Sequence, residues 1–150
     1  MKVYDGVEGF ATAEGDVLGT SDWLVVDQDR IDKFADATGD HQWIHVDAER
    51  AADGPFGATI AHGFLTLSLL PPLLNQLYRV DNVTMAVNYG LEKVRFMTPV
   101  RVDSKIRLSA KVLSVTSLEG AVQATFESTF EVEGSQKPAA VAQSVIRYLA

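Results

Sequence analysis

The segment GDHQWIHVD (39–47) holds two of the chain's three histidines, His41 and His45, between Asp40 and Asp47, with Trp43 and Ile44 in their midst. Solvated loops rarely carry such apolar side chains, and core strands rarely carry so many titratable ones. The mixture predicts a segment that dips from solvent into an apolar cavity and takes acid–base chemistry with it. The third histidine, His62, stands in the pair His62-Gly63 at the head of a long apolar run. The spacing of the histidines and aspartates matches no strong metal-binding signature, and no metal is expected. Spacing alone leaves quieter readings open. Asp40 can be a residue of a helix-ending turn, His45 a satisfied core histidine, His41 a surface group, and Trp43 core or pocket wall.

The surrounding elements decide where these side chains sit. DWLVV (22–26) reads as a short strand. Asp27 can cap a helix with Asp29 in its first turn and Ile31, Phe34 and Ala35 on one face. Gly39 is placed to end that helix, which leaves Asp40 in a loop just beyond it. Asp47 can cap a second, short helix, AERAA. DGPFGATIAHG (53–63), with three glycines and a proline, must be a loop. HGFLTLSLLPPLLNQLY (62–78) is apolar on almost every side and predicts a buried helix. Pro71 and Pro72 must kink it, or end one piece and start another. Ser68 and Thr66 are expected to bond back within it.

From residue 84 onward the pattern becomes β-like. Runs at 84–97, 104–117, 121–134 and 139–150 are separated by TPVRVD, LEG and GSQKP. The first ~20 residues are weakly patterned. Helices first and antiparallel strands after predict an α+β fold, in which a long curved sheet wraps the apolar helix.

Composition narrows the function. The 150 residues predict one domain, 1–150, and 47% hydrophobic content supports a sizeable core. The absence of cysteine excludes disulfides, thiol catalysis and Cys-ligated zinc. A net charge of −7 with scattered Lys and Arg argues against nucleic acid and anionic membranes as partners. The start MKVYDGVEGFATAEGD carries no apolar run of signal-peptide length, so the expected location is cytoplasmic.

FADATGDHQWIHVD (34–47) followed by GPFGATIAHGFLTLSLL (54–70) resembles the MaoC-like dehydratase family, of hot-dog fold. The wording is nearest to its nodulation-protein-N-like and (R)-specific enoyl-CoA hydratase members. The resemblance implies a hot-dog domain, a long antiparallel sheet around a buried central helix. It makes Asp40 and His45 the catalytic pair and the Gly63 amide the oxyanion donor, with His62 and Trp43 beside the substrate. It also implies a homodimer, joined edge to edge, and the long terminal strand AAVAQSVIRYLA (139–150) is expected to leave the unpaired edge that such pairing protects. The family's supporting serine, three residues after Ser68, is Pro71 here.

The chemistry suits those residues. Adding water across the double bond of a trans-2-enoyl thioester takes two proton transfers, and a carboxylate and an imidazole that hold one water can perform both. Five positions apart, Asp40 and His45 would stand about 140° apart on a helix, so they converge more easily in a loop. The expected substrate is an acyl-CoA thioester, with no cofactor besides it. For the coenzyme phosphates, Lys93 and Arg95 are the candidates, within a cationic run that continues through Arg101, Lys105 and Arg107. A hot-dog acyl-CoA thioesterase is the enzymatic alternative. The absence of any Asp or Glu from Gly54 to Arg79 counts against an acid on the central helix. A non-catalytic acyl-binding protein is the third reading.

Overall fold

A computed structural model describes residues 1–150. The weakly patterned start forms β1 (Lys2–Asp5), α1 (Gly6–Phe10) and β2 (Val17–Thr20). Each of these elements is only four or five residues long, too short to show a period in the sequence. Phe10 nonetheless sits at the centre of an aromatic cluster with Tyr4, Tyr78, Phe126 and Tyr148.

The next elements follow their capping residues. After β3 (Leu24–Val26), Asp27 accepts a hydrogen bond from the Arg30 amide and opens α2 (Gln28–Thr38). Gly39 ends α2 with φ of 83°, a left-handed conformation that costs a residue with a Cβ more than it costs glycine. α3 (Trp43–Val46) is a single turn, and Asp47 caps α4 (Ala48–Ala52). Residues 53–62 are loop with one isolated bridge, Ile60 to Arg101.

The apolar run divides as its prolines require. α5 (Gly63–Ser68) ends before them, and α6 (Leu70–Leu74) begins with Pro71 and Pro72 in its first turn, where no amide is needed for intrahelical bonding. Then come β4 (Tyr78–Asp81), β5 (Met85–Phe96), β6 (Ser104–Leu118), β7 (Ala121–Val132) and β8 (Ala140–Leu149). β1 and β4 pair in parallel as a small separate sheet. The main sheet is antiparallel in the order β2-β6-β7-β8-β5, with β3 beside β2 on β6. Its inner face, with Val112, Phe126 and Ile146, packs into one core with Leu65, Leu69 and Leu73 of the central helix.

Two expectations need correction. The central helix is not buried all round: Leu65, Leu69, Leu70, Leu73 and Leu74 are buried, but Phe64 is 71% exposed and Ser68, Pro71 and Pro72 face solvent. The sheet covers one side of the helix only. The C-terminal strand is not a free edge either. β8 pairs with β7 on one side and β5 on the other, so the edge on that side belongs to β5, and β2 and β3 form the opposite edge. Strand order depends on the crossover of β5, which periodicity does not encode. No helix is long and apolar enough to cross a membrane.

Candidate active site

Asp40 follows the Gly39 break directly, in the loop between α2 and α3, with an exposed side chain. His45 lies one turn further on and is buried. The α2 cap therefore fixes where the carboxylate emerges, and the short turn of α3 swings the imidazole inward beside it.

His45 is held in one tautomer. Its Nδ1 lies 2.7 Å from the Ile60 carbonyl oxygen, which can only accept, so Nδ1 carries the hydrogen and Nε2 is the free basic nitrogen. Burial lowers the His45 pKa below the usual histidine value of 6.5. The Ile60 carbonyl opposes that shift, the charge of His62 adds to it, and Asp40 opposes it. The net effect favours neutral imidazole at neutral pH.

His62 joins the pair more closely than sequence spacing shows. It is buried, its Nε2–H donates to the Asp40 backbone carbonyl at 3.0 Å, and its ring stacks on His45 at a centroid distance of 3.8 Å. Phe34 of α2 packs on its other side, at 4.8 Å between ring centroids. His62 Nδ1 is buried without a hydrogen-bond partner. One carboxylate oxygen of Asp40 and one ring nitrogen each of His45 and His62 lie within 4.8 Å of one another. Two hydrogen bonds of about 2.8 Å meeting at a tetrahedral oxygen span roughly 4.6 Å, so a single water fits between such groups. The same three atoms could in principle touch a metal ion.

Gly63 is the first residue of α5, so its N–H has no partner within the helix. The ring of Phe96 closes over it: a Cβ built on Gly63 would stand 3.3 Å from Phe96 Cδ1 and Cε1. Beside it lies a cavity of about 280 Å³ lined by Gly63, Thr66, Phe96 and Ile60. Thr66 faces this cavity, whereas Ser68 bonds back to the Phe64 carbonyl at 2.6 Å as expected. Further cavities of about 480 and 410 Å³ continue along the helix past Leu67 and Pro71 to Tyr78 and Tyr148.

Other candidates lie apart from this cluster. Trp43 stacks under the Arg50 guanidinium, 4.3 Å from its ring centroid, and packs against Gly54. These contacts lie on the α4 side. His41 is exposed and pairs with Asp36 at 2.9 Å, and that hydrogen bond raises its pKa. Lys93 and Arg95 are exposed and enter no ion pair. Phe96 turns toward Gly63, so alternation puts Arg95 and Lys93 on the sheet face away from the helix. Lys105 and Arg107 are paired with Glu133 and Glu131.

One contributor escaped sequence reading. Gln28, the first residue of α2, donates from Nε2 to the His45 carbonyl at 2.8 Å and accepts from the Thr59 hydroxyl at 2.6 Å. No local pattern marks it, because both partners are far along the chain.

The chain resembles known proteins over most of its length. The MaoC like domain family matches residues 9–132. The 3-hydroxyacyl-thioester dehydratase Z of Mycobacterium tuberculosis is 56% identical over 151 residues, covering 100% of both chains. Nodulation protein N of Rhizobium leguminosarum bv. viciae is 51% identical over 132 residues, 85% of this chain and 81% of its own. Among solved structures, the monoamine oxidase regulatory protein of Archaeoglobus fulgius superposes with a TM-score of 0.79 at 24% identity, covering 99% of this chain and 96% of that one. The (R)-hydratase from A. caviae superposes with a TM-score of 0.69 at 23% identity, covering 87% of this chain and 95% of that one. These two structures share the fold. The match over most of the chain, and relatives more than half identical to it, place the protein in the MaoC-like dehydratase family of hot-dog proteins.

Proposed function

We propose that the protein is an (R)-specific enoyl-CoA hydratase, working equally as a (3R)-hydroxyacyl-CoA dehydratase in reverse. The observation that carries this reading is the convergence of an Asp40 carboxylate oxygen with ring nitrogens of His45 and His62 within 4.8 Å. The relatives named as dehydratase and hydratase support it.

In the hydration direction one water sits between Asp40 and His45 Nε2. Its oxygen forms a bond to C3 of the trans-2-enoyl thioester while the pair removes its proton. The electrons of the C2–C3 double bond shift toward the thioester carbonyl, whose oxygen becomes negative. The Gly63 N–H, without an intrahelical acceptor, is the donor for that oxygen. A proton passes from the pair to C2 on the same face, and the pair returns to its starting state. Both proton transfers stay within one small cluster, so addition is syn. The reaction needs no redox or group-carrying cofactor beyond the thioester itself. His62 holds the Asp40 backbone through its Nε2–H and backs the His45 ring. The cavities along the central helix give room for the acyl chain.

The working unit in this reading is a homodimer joined through the open edge of β5. That strand exposes Met85, Val87, Tyr89, Leu91 and Phe96, and Phe64 of the helix lies against Phe96. Unpaired strand edges and contiguous apolar surface are features a partner copy covers.

The test is incubation with crotonyl-CoA, following loss of the enoyl absorbance and resolving the product on a chiral column. (3R)-Hydroxybutyryl-CoA is expected. Release of free thiol without hydration would identify a thioesterase instead, and neither signal would favour an acyl-binding role.

A further inference from the structure

The side chain of Gln28 ties together three pieces of chain that meet only at His45. Its Nε2 donates to the His45 carbonyl at 2.8 Å and to Asp32 Oδ1 at 2.8 Å. Its Oε1 accepts from the Thr59 hydroxyl at 2.6 Å. The orientation of the amide is fixed, since a carbonyl and a carboxylate oxygen both face the NH₂ end. Thr59 is almost completely buried and precedes Ile60, whose carbonyl takes the His45 Nδ1–H. The Ile60 amide in turn donates to the Ile44 carbonyl at 3.0 Å.

α3 has a single turn, so the carbonyls of its last residues have no acceptor role inside it. A helix this short does not hold its own geometry. Gln28 supplies the missing partner at His45, and does so from the rigid, capped start of α2. It also grips the strand-like segment that fixes the imidazole tautomer. His45 is thereby clamped through its backbone carbonyl and through the partner of its ring.

We propose that Gln28 is a positioning residue for the reaction, a clasp that sets the aim of the His45 imidazole; this rests on His45 being an acid–base residue. The amide touches no reacting atom and acts through the backbone on either side of the ring. Gln28→Leu removes all three bonds. Gln28→Glu keeps the shape and the Thr59 bond but sets a carboxylate oxygen against two acceptors.

Both variants are measured in the full-length protein by crotonyl-CoA kinetics across pH. The expected result is a fall in kcat of about 10–10²-fold with KM near wild type, as for other residues that orient a catalytic side chain. The acid limb of kcat/KM should also move to higher pH, because a loosened imidazole gains solvent. Asp32→Asn, which still offers an acceptor oxygen, should keep wild-type kcat. Wild-type kcat and an unmoved pH profile in both Gln28 variants, or a loss seen only in thermal stability, overturns the clasp. If Gln28→Leu does not fold, Gln28→Glu decides. Wild-type turnover in His45→Gln would instead remove the acid–base assignment itself. An inactive His45→Gln beside fully active Gln28 variants removes only the clasp.

Discussion

The imidazoles of His45 and His62 lie face to face, 3.8 Å between centroids and 23° from parallel. Burial lowers the His45 pKa, and the charge of His62 is a further influence in the same direction. Neutral His45 is the form with a lone pair for the water proton. Activity is therefore present at neutral pH and lost as pH falls, with the acid limb of kcat/KM centred below 6.5. His62→Gln removes the neighbouring charge and should move that limb upward. Stability follows the same sign. The unfolded chain takes up the His45 proton first, so that contribution is present above 6.5 and lost as pH falls through the lower folded value. A limb that stays in place in His62→Gln, at equal thermal stability, contradicts the coupling.

Asp40→Asn and His45→Gln should each lower kcat by about 10²–10⁴-fold. Asp40 is exposed in a loop, so its variant should fold as the wild type does. In the proposed mechanism both groups act on one water, so the double variant should be little worse than either single one. Full additivity of the two losses would mean that they serve separate steps.

Gly63 offers a test that separates bulk from hydrogen bonding. Gly63→Ala places a Cβ 3.3 Å from the Phe96 ring, which is half exposed and can move by a few tenths of an ångström. The fold should survive. Gly63→Pro adds the same Cβ and replaces the N–H with a ring methylene. Proline is tolerated at the first helical position, and His62 already has the extended conformation, φ −58° and ψ 139°, that a residue before proline requires. The alanine variant should lose rate by steric exclusion of the thioester, and the proline variant should lose about 10²–10³-fold more. Equal rates for the two would show that the Gly63 amide donates nothing to the reaction.

Local signals in the sequence carried much of this site. The Asp27 cap, the left-handed Gly39 and the Asp47 cap each act within four residues, and so they place Asp40 outside a helix without reference to the rest of the chain. The long strands announce themselves by alternation. What the sequence hides is long-range. The stacking of His62 on His45 joins residues 17 apart in the chain through loop geometry. Gln28 meets Thr59 across 31 positions. The exposed side of the central helix and the free edge at β5 depend on strand order, and an all-apolar helix pattern reads as buried whether a sheet or a second chain covers it.

The β5 edge predicts assembly. Sedimentation at micromolar concentration should give twice the chain mass of 16.3 kDa. Like charges placed on the exposed apolar surface, such as Leu91→Glu combined with Phe64→Glu, should shift the protein toward the monomer, since a two-fold contact would bury unpaired charges of one sign against each other. A wild-type protein that sediments at the monomer mass contradicts the dimer.

The coenzyme phosphates are expected on the cations that no carboxylate already holds. Lys105 and Arg107 are engaged by Glu133 and Glu131, whereas Lys93, Arg95 and Arg101 enter no ion pair. Position separates these three further. Lys93 and Arg95 lie on the sheet face away from the central helix. Arg101 pairs with Ile60 in the loop that leads into His62 and Gly63, and its guanidinium lies beside Gly57. A chain of net charge −7 offers no global attraction, so local cations must supply it. Neutralising them one at a time should raise KM for crotonyl-CoA and leave kcat nearly unchanged. The phosphates are far from the double bond and bind ground state and transition state alike. The increase in KM should be largest for Arg101→Gln and smaller for Lys93→Gln and Arg95→Gln. The wild-type KM should climb with ionic strength and that of the triple variant should not, because exposed charges are screened over about 10 Å at 0.1 M salt. A wild-type KM in the triple variant would place the phosphates on another surface, and a fall in kcat at Arg101→Gln would tie that residue to the loop geometry at Gly63 instead.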